Sequence, residues 1–323
     1  MTATSTRVPL PDRAALDDAW RRVRPRVHRT PVLRSSYFDR QLGAELFFKC
    51  ENFQKIGAFK IRGAANALFS LGDGELAAGV VTHSSGNHAQ AVALAARWRG
   101  IRATIVMPQN ASAVKVAAVR GYGAEVVLCR PTVEDREATV ARLVAERGLR
   151  LIHPYDDPRI IAGQATAARE LLADAGPLDL LLAPVGGGGL LSGTALTAHH
   201  LAPGTRVVGA EPELADDAAR SLAAGEIQPA RPPRTVCDGL LTSLGEHTFA
   251  VIRRHVEAIV TVDEETIVDV MRRVFERMKI VVEPSAVVPL AALVAGRLAV
   301  RGRRVGIILS GGNVDLERLP WLG

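Results

Sequence analysis

The sequence predicts an α/β fold of two open parallel-sheet domains with helices on both faces. From residue 78 onward, short β-rich apolar runs alternate with helical stretches, and a second series of the same kind begins near residue 178. A repeated strand-helix unit means parallel strands joined by crossover helices, and therefore a sheet covered on both sides. One further apolar run, AELFFKCE at 44–51, has no strand near it in sequence and must join one of the two series.

The elements follow in order. AGVVTH leads into NHAQAVALAARW, ATIVMP into SAVKVAAVRGYG, and AEVVLC into VEDREATVARLVAERG. Each pair is a strand and its helix. In the second series LDLLLAPV precedes GGGLLSGTALTAHHL, RVVGAEP follows, EAIVTV precedes EETIVDVMRRVFERM, and RVGIILS lies near the C-terminus. No Pro/Gly/Ser-rich linker separates the series. We expect a small domain at 78–156 inserted into a large one made of 1–77 and 157–323.

The 323 residues suffice for two such units, and 48% hydrophobic content with 23% charged residues describes a folded chain, not a disordered one. A net charge of +6 raises the question of nucleic acid. The densest basic run, RRVRPRVHRTPVLR at 21–34, is broken by apolar residues and two prolines, and no nucleic-acid-binding module accompanies it, so none is expected to bind. Cys50, Cys129 and Cys237 stand far apart without metal-type spacing. With no signal-peptide core and no apolar run of bilayer length, they point to reduced thiols in a cytoplasmic, non-membrane protein.

Chemistry concentrates at a few turns. GAFKIRGA, 57–64, places Lys60 between Phe59 and Ile61 with no carboxylate close in sequence. Either its stem covers apolar surface while the ammonium reaches water, or a desolvated lysine serves as a nucleophile able to form a Schiff base. PVGGGGLLSG, 184–193, sets Gly186, Gly187, Gly188 and Gly189 between a strand and a helix, where converging amides and the helix N-terminus suit a phosphate. It is neither G-x-G-x-x-G nor a P-loop. THSSGNHAQA, 82–91, offers Ser84, Ser85, Gly86 and Asn87 at a second strand-to-helix junction, fit for a carboxylate or a phenolic oxygen and equally for a plain N-cap. ILSGGNVD, 308–315, is a third junction, with Ser310 at its strand end, and AEPELADD, 210–217, is a short acidic loop in which oxygen ligands for a hard cation or a solvated turn are both readable.

Taken together these five ordered motifs, spanning about 30–315, resemble the pyridoxal-phosphate enzymes of fold type II, the tryptophan-synthase-like group, and within it the serine/threonine dehydratase and serine racemase family. The resemblance implies pyridoxal 5'-phosphate held as a Schiff base on Lys60. It implies Phe59 beside the cofactor ring, Gly186 to Gly189 on its phosphate, Asn87 at its hydroxyl and Ser310 at its pyridine nitrogen, with Glu283 retained. Ser84, Ser85, Gly86, Asn87 and His88 would receive the substrate, and Arg136 would close over it. Lys60 and Ser85 become the catalytic pair, one on each face of the ring. Glu211, Asp217 and the carbonyl of Ala215 match a structural Mg2+ or Ca2+ site of the racemase branch, and a homodimer is implied.

Three departures stand out: TVCDG with Cys237 for the usual alanine, EPSAV at 283–287 for EPTAG, and Ser112 where a proline is usual. The first two touch the floor of the site, and the third argues against nucleotide activation of the racemase kind. The sequence ends in LERLPWLG, so feedback control through a C-terminal regulatory domain is not expected. The leading expectation is β-elimination from L-serine or L-threonine to a 2-oxo acid and ammonia. Its alternatives are serine racemase or threo-3-hydroxyaspartate ammonia-lyase, with a non-catalytic amino-acid-binding protein behind them.

Overall fold

Among the described residues ten strands fall into two separate sheets. The computed structural model describes residues 10–111, 113–232 and 234–322; Ser112 and the first nine residues, on which part of the reading above rests, lie outside the described residues. The strands are β1 (Val32–Leu33), β2 (Glu45–Cys50), β3 (Val80–His83), β4 (Ala103–Pro108), β5 (Glu125–Cys129), β6 (Arg150–Leu151), β7 (Leu180–Pro184), β8 (Arg206–Pro212), β9 (Ala258–Val262) and β10 (Arg304–Leu309). The larger sheet has the order β1-β2-β10-β7-β8-β9, and the smaller β5-β4-β3-β6. Every pairing is parallel except β1 on β2.

The lone apolar run at 44–51 finds its place here as β2, beside β10, with Phe48 opposite Ile307. Five of its six residues are buried, the near-continuous burial that a parallel strand covered on both faces requires. One face of the large sheet packs on the helices Glu264–Met278 and Pro284–Val294, through Val270, Val274, Val288 and Leu290. The other packs on Arg13–Val23, Pro158–Ala175 and Gly189–Leu201. The helix Lys60–Ser70 lies between the sheets: it packs on Pro158–Ala175, while Ile61, Ala64 and Leu68 share a core with Ala89, Val92 and Ile105 of the smaller unit.

A charged cluster is enclosed where these layers meet. Arg62 donates to both carboxylate oxygens of Glu51, at 2.7 and 2.8 Å, and to both of Glu170, at 2.9 and 2.8 Å. Lys49 lies 2.6 Å from Glu170 and donates to the carbonyl of Thr30. All four side chains are buried. Bidentate geometry on each carboxylate is what makes such burial tolerable.

Candidate active site

Lys60 opens its helix from a turn that a β-branched residue resists. Ile56 (φ 60°) and Gly57 (φ 71°) are both left-handed, an outlier for isoleucine. The loop after β10 holds this turn in place. Asn313 Nδ2 donates to the Ile56 carbonyl at 2.7 Å, the Gly312 amide to Gly57 at 2.9 Å, and the Phe59 amide to the carbonyl of Ser310 at 3.0 Å. Ala58 and Gly311 form an antiparallel bridge. Lys60 and Ser310, far apart in sequence, are thus tied by main chain.

The Lys60 ammonium donates to the carbonyl of Pro154 at 2.9 Å and stands 5.2 Å from the ring centroid of Phe59. Burial pushes its pKa down to about 8, against the opposing pull of Glu283. About a tenth of it is therefore free amine at pH 7, far more than for an ordinary lysine. The bland reading of this lysine, a stem on apolar surface with its head in water, does not describe it.

Beyond β7 the chain turns through Gly186 to Gly188 into the helix beginning at Gly189. Gly188 has φ +86°, and a side chain on Gly187 would come within 2.3 Å of the Tyr155 ring. Both positions demand glycine, and the turn ends at a helix N-terminus, where amides and dipole favour an anion. The Cys237 turn lies directly below: a Cβ on Gly186 would meet Leu240 Cα at 2.9 Å. Ser285, from the altered EPSAV segment, accepts from the Gly239 amide at 3.1 Å.

Across the cleft, Asn87 begins the helix Asn87–Arg99. Its Nδ2 donates to both oxygens of Glu283, at 3.0 and 3.1 Å, and its Oδ1 accepts from Asn313 at 2.8 Å. Burial raises the Glu283 pKa to about 7, opposed by the Asn87 hydrogen bond. Ser84, Ser85 and Gly86 form the half-buried turn before Asn87, in which the Ser84 hydroxyl accepts from the Gly86 amide. Arg136 lies on the helix Val133–Arg147 near enough to His83, beside Ser84, for its charge to add to burial in lowering that imidazole's pKa. His88 is set apart from the rest. Its ring is buried, Nε2 faces the carbonyl of Ile152 at 3.3 Å, and burial holds its pKa well below the usual value.

At the acidic loop, Glu211 and Asp217 are buried and Ala215 lies in the turn between them. Glu211 accepts from the amides of Ala218 and Ala219 at 3.3 and 2.7 Å, yet burial still raises its pKa to about 8; Asp217 is raised to about 6, and its Oδ2 is buried without a partner. Among the described residues no group of three or more His, Cys, Asp or Glu side chains is arranged to hold a metal. Any cation here would rely on two carboxylates and main-chain oxygen.

Two residues next to Lys60 escaped the sequence reading. His153 and Tyr155 stand edge to face at 4.8 Å, on the loop whose Pro154 carbonyl receives the lysine. They lack glycine, acid or motif spacing, and only their place just after a parallel strand marks them.

The family model described as "Pyridoxal-phosphate dependent enzyme" matches residues 23–311. This chain belongs to that family. As a pyridoxal-phosphate dependent enzyme it is 50% identical to beta-hydroxyaspartate dehydratase of Paracoccus denitrificans over 94% of this chain and 96% of the relative. It is likewise 50% identical to L-threo-3-hydroxyaspartate ammonia-lyase of Saccharomyces cerevisiae, over 94% of each. The crystal structure of serine racemase from Dictyostelium discoideum superimposes with a TM-score of 0.90 at 47% identity, covering 94% of this chain and 98% of that one. The family's cofactor fits what is built here: an anion cradle that tolerates no side chain at Gly187, a lysine of lowered pKa, and Asn87 and Ser310 tied to the same loops.

Proposed function

We propose that this chain is an ammonia-lyase acting on a β-hydroxy amino acid with a second carboxylate, L-threo-3-hydroxyaspartate being the simplest. The observation that carries this reading is that Arg136 stands close enough to His83, the residue before the 84–87 turn, for its charge to act on that imidazole. The 84–87 turn can receive one carboxylate, and Arg136, beside His83, offers a separate charge for another. Serine and threonine bring no second carboxylate to that arginine, whose Nε donates to the Thr132 carbonyl at 3.2 Å. The leading expectation from sequence therefore yields to its alternative, as the names of the two relatives described above also suggest.

When bound, pyridoxal phosphate supplies an electron sink conjugated to the substrate α-carbon. The Gly186–Gly189 amides would hold its phosphate, Phe59 would flank the ring, and Asn87 and Ser310 would meet its hydroxyl and its ring nitrogen. Lys60 would anchor the group and, as a free amine, would take the α-proton of the substrate. Amides and hydroxyls of Ser84 to Asn87 fix the α-carboxylate while Arg136 fixes the β-carboxylate, so the Cα–H bond points at Lys60. The β-hydroxyl then leaves as water, and the enamine so formed, as its imine tautomer, takes up one water to give a 2-oxo acid and ammonia. Residues 78–156 act as the unit that closes over the substrate, on the remainder that holds the cofactor. Glu211, Asp217 and the Ala215 carbonyl hold a structural Mg2+ or Ca2+, for which the unpartnered Asp217 oxygen is the support.

A panel of L-threo-3-hydroxyaspartate, L-serine and L-threonine, read as 2-oxo acid released, tests the assignment. We expect kcat/KM for hydroxyaspartate to exceed that for serine by about tenfold or more, the scale set by one charge-assisted contact. A preference for serine or threonine would overturn it. Racemisation is the second reading, favoured by the Ser85 hydroxyl in the turn that faces the cleft. Ser85→Ala should suppress any D-product and largely spare elimination from L-substrates; equal loss of both would make Ser85 a carboxylate ligand only.

A further inference from the structure

His153 is held in one tautomer by its own loop. Its Nδ1 accepts two main-chain amides, from Asp156 at 2.8 Å and Tyr155 at 3.3 Å. An imidazole nitrogen that accepts carries no proton, so in the neutral ring the proton sits on Nε2. The ring is neutral: burial lowers its pKa to about 4, with His83 and Lys60 adding to the effect while Asp156 and Asp157 oppose it. The Tyr155 ring, edge-on at 4.8 Å, fixes its plane.

The loop itself cannot shift easily. Asp156 Oδ1 accepts from the Thr248 amide at 3.0 Å at the start of the helix Glu246–His255, its Oδ2 lies 3.6 Å from His247 Nδ1, and Tyr155 packs on Gly187. No described residue accepts from His153 Nε2, and the ring is only half-buried. A donor of fixed direction, with no protein acceptor, therefore stands next to the carbonyl that holds Lys60. A ring whose other nitrogen is already occupied cannot act as a base there.

We infer that His153 is a specificity-determining residue that donates its Nε2 proton to the β-carboxylate of the substrate, alongside Arg136. This rests on the dicarboxylate reading proposed above. Arg136 supplies charge from the smaller unit. His153, at the end of the same unit, supplies direction from a loop whose Asp156 is held by the Thr248 amide of the larger one. A neutral donor is suited to this, because it reads an oxygen without adding a third positive charge near Lys60.

Two measurements test it. In ring-15N-labelled wild type, His153 should show the neutral Nε2–H pattern throughout about pH 5 to 8, where an ordinary histidine titrates. An Nδ1–H pattern, or titration near the usual value, overturns the inference whether or not any variant folds. In the second, cofactor-loaded protein is titrated with L-aspartate and with L-alanine, and the shift in visible absorbance gives each Kd. Neither ligand has a hydroxyl to lose, so binding is read without turnover. His153→Asn keeps an acceptor where Nδ1 stood and removes the donor; it should weaken aspartate about tenfold or more and alanine little, the loss expected for one hydrogen bond to a charged group. His153→Gln, which returns an N–H near the Nε2 position, should recover part of the loss. Equal weakening of both ligands, or of neither, overturns the inference. If wild type binds aspartate well above alanine and yet prefers serine in turnover, the ammonia-lyase assignment fails while the role of His153 stands.

Discussion

Lys60 is attached to the chain like any lysine, and its difference lies in what surrounds it. With a pKa of about 8, its unprotonated fraction changes about tenfold per pH unit below that value and little above it. Only the free amine attacks an aldehyde. The rate at which apoprotein takes up pyridoxal phosphate, followed by growth of the visible band, should therefore rise with pH and level off near 8. A rate still climbing steeply beyond about pH 9 would mean an ordinary lysine. Lys60→Ala should show no covalent band at any pH. Sequence singled this residue out because no acid lay near it, and that was half of the truth: its acid neighbour, Glu283, arrives from far along the chain. Asn87 and Glu283 were each singled out from motifs far apart in sequence, and only the fold makes them a pair. His153 was invisible for the opposite reason, since what distinguishes it is two main-chain amides that no sequence displays.

At the scale of elements, the junction between β7 and its helix was the most legible feature, because four consecutive glycines exceed what a turn needs. What sequence could not supply was the object that excludes side chains there, the Tyr155 ring. Gly187→Ala should drive a methyl into that ring, weakening pyridoxal phosphate binding about tenfold and costing about 1–3 kcal/mol of stability as an overpacked site does. Adding Tyr155→Ala should return part of both losses, measured by cofactor titration and by denaturant unfolding. The acidic loop was legible as residue types and ambiguous as a site. Its Glu211 already caps the helix Asp217–Ala224, so the cation depends on Asp217. Mg2+ or Ca2+ should raise the thermal midpoint and a chelator reverse the gain. Asp217→Asn should lose the response, whereas Glu213→Ala, which removes only an exposed pair with Arg297, should keep it. An unchanged midpoint in every case would leave the loop a capping device alone.

For the whole molecule, alternating strands and helices announced two parallel sheets, but the strand order was hidden. Nothing local in RVGIILS says that β10 lies between β2 and β7. The charged cluster was equally silent, since nothing in the sequence pairs Lys49, Glu51, Arg62 and Glu170 until the layers enclose them. Removing one member strands its partners: Glu170→Ala should cost about 3–5 kcal/mol in denaturant unfolding, and Lys49→Met added to it should recover part of that. A loss under about 1 kcal/mol would mean water reaches the cluster. The position of β10 also bears on how the protein is made. Residues 304–313 leave the ribosome after Lys60, Asn87, the glycine turn and Glu283, yet they join the two halves of the larger sheet and stitch Lys60 to Ser310. Until they emerge, the lysine and its turn have nothing to rest against, however complete the glycine cradle is. Synthesis therefore has to pass β10 before the nascent chain is able to capture its cofactor, and a ribosome stalled short of β10 would carry a chain that cannot be loaded.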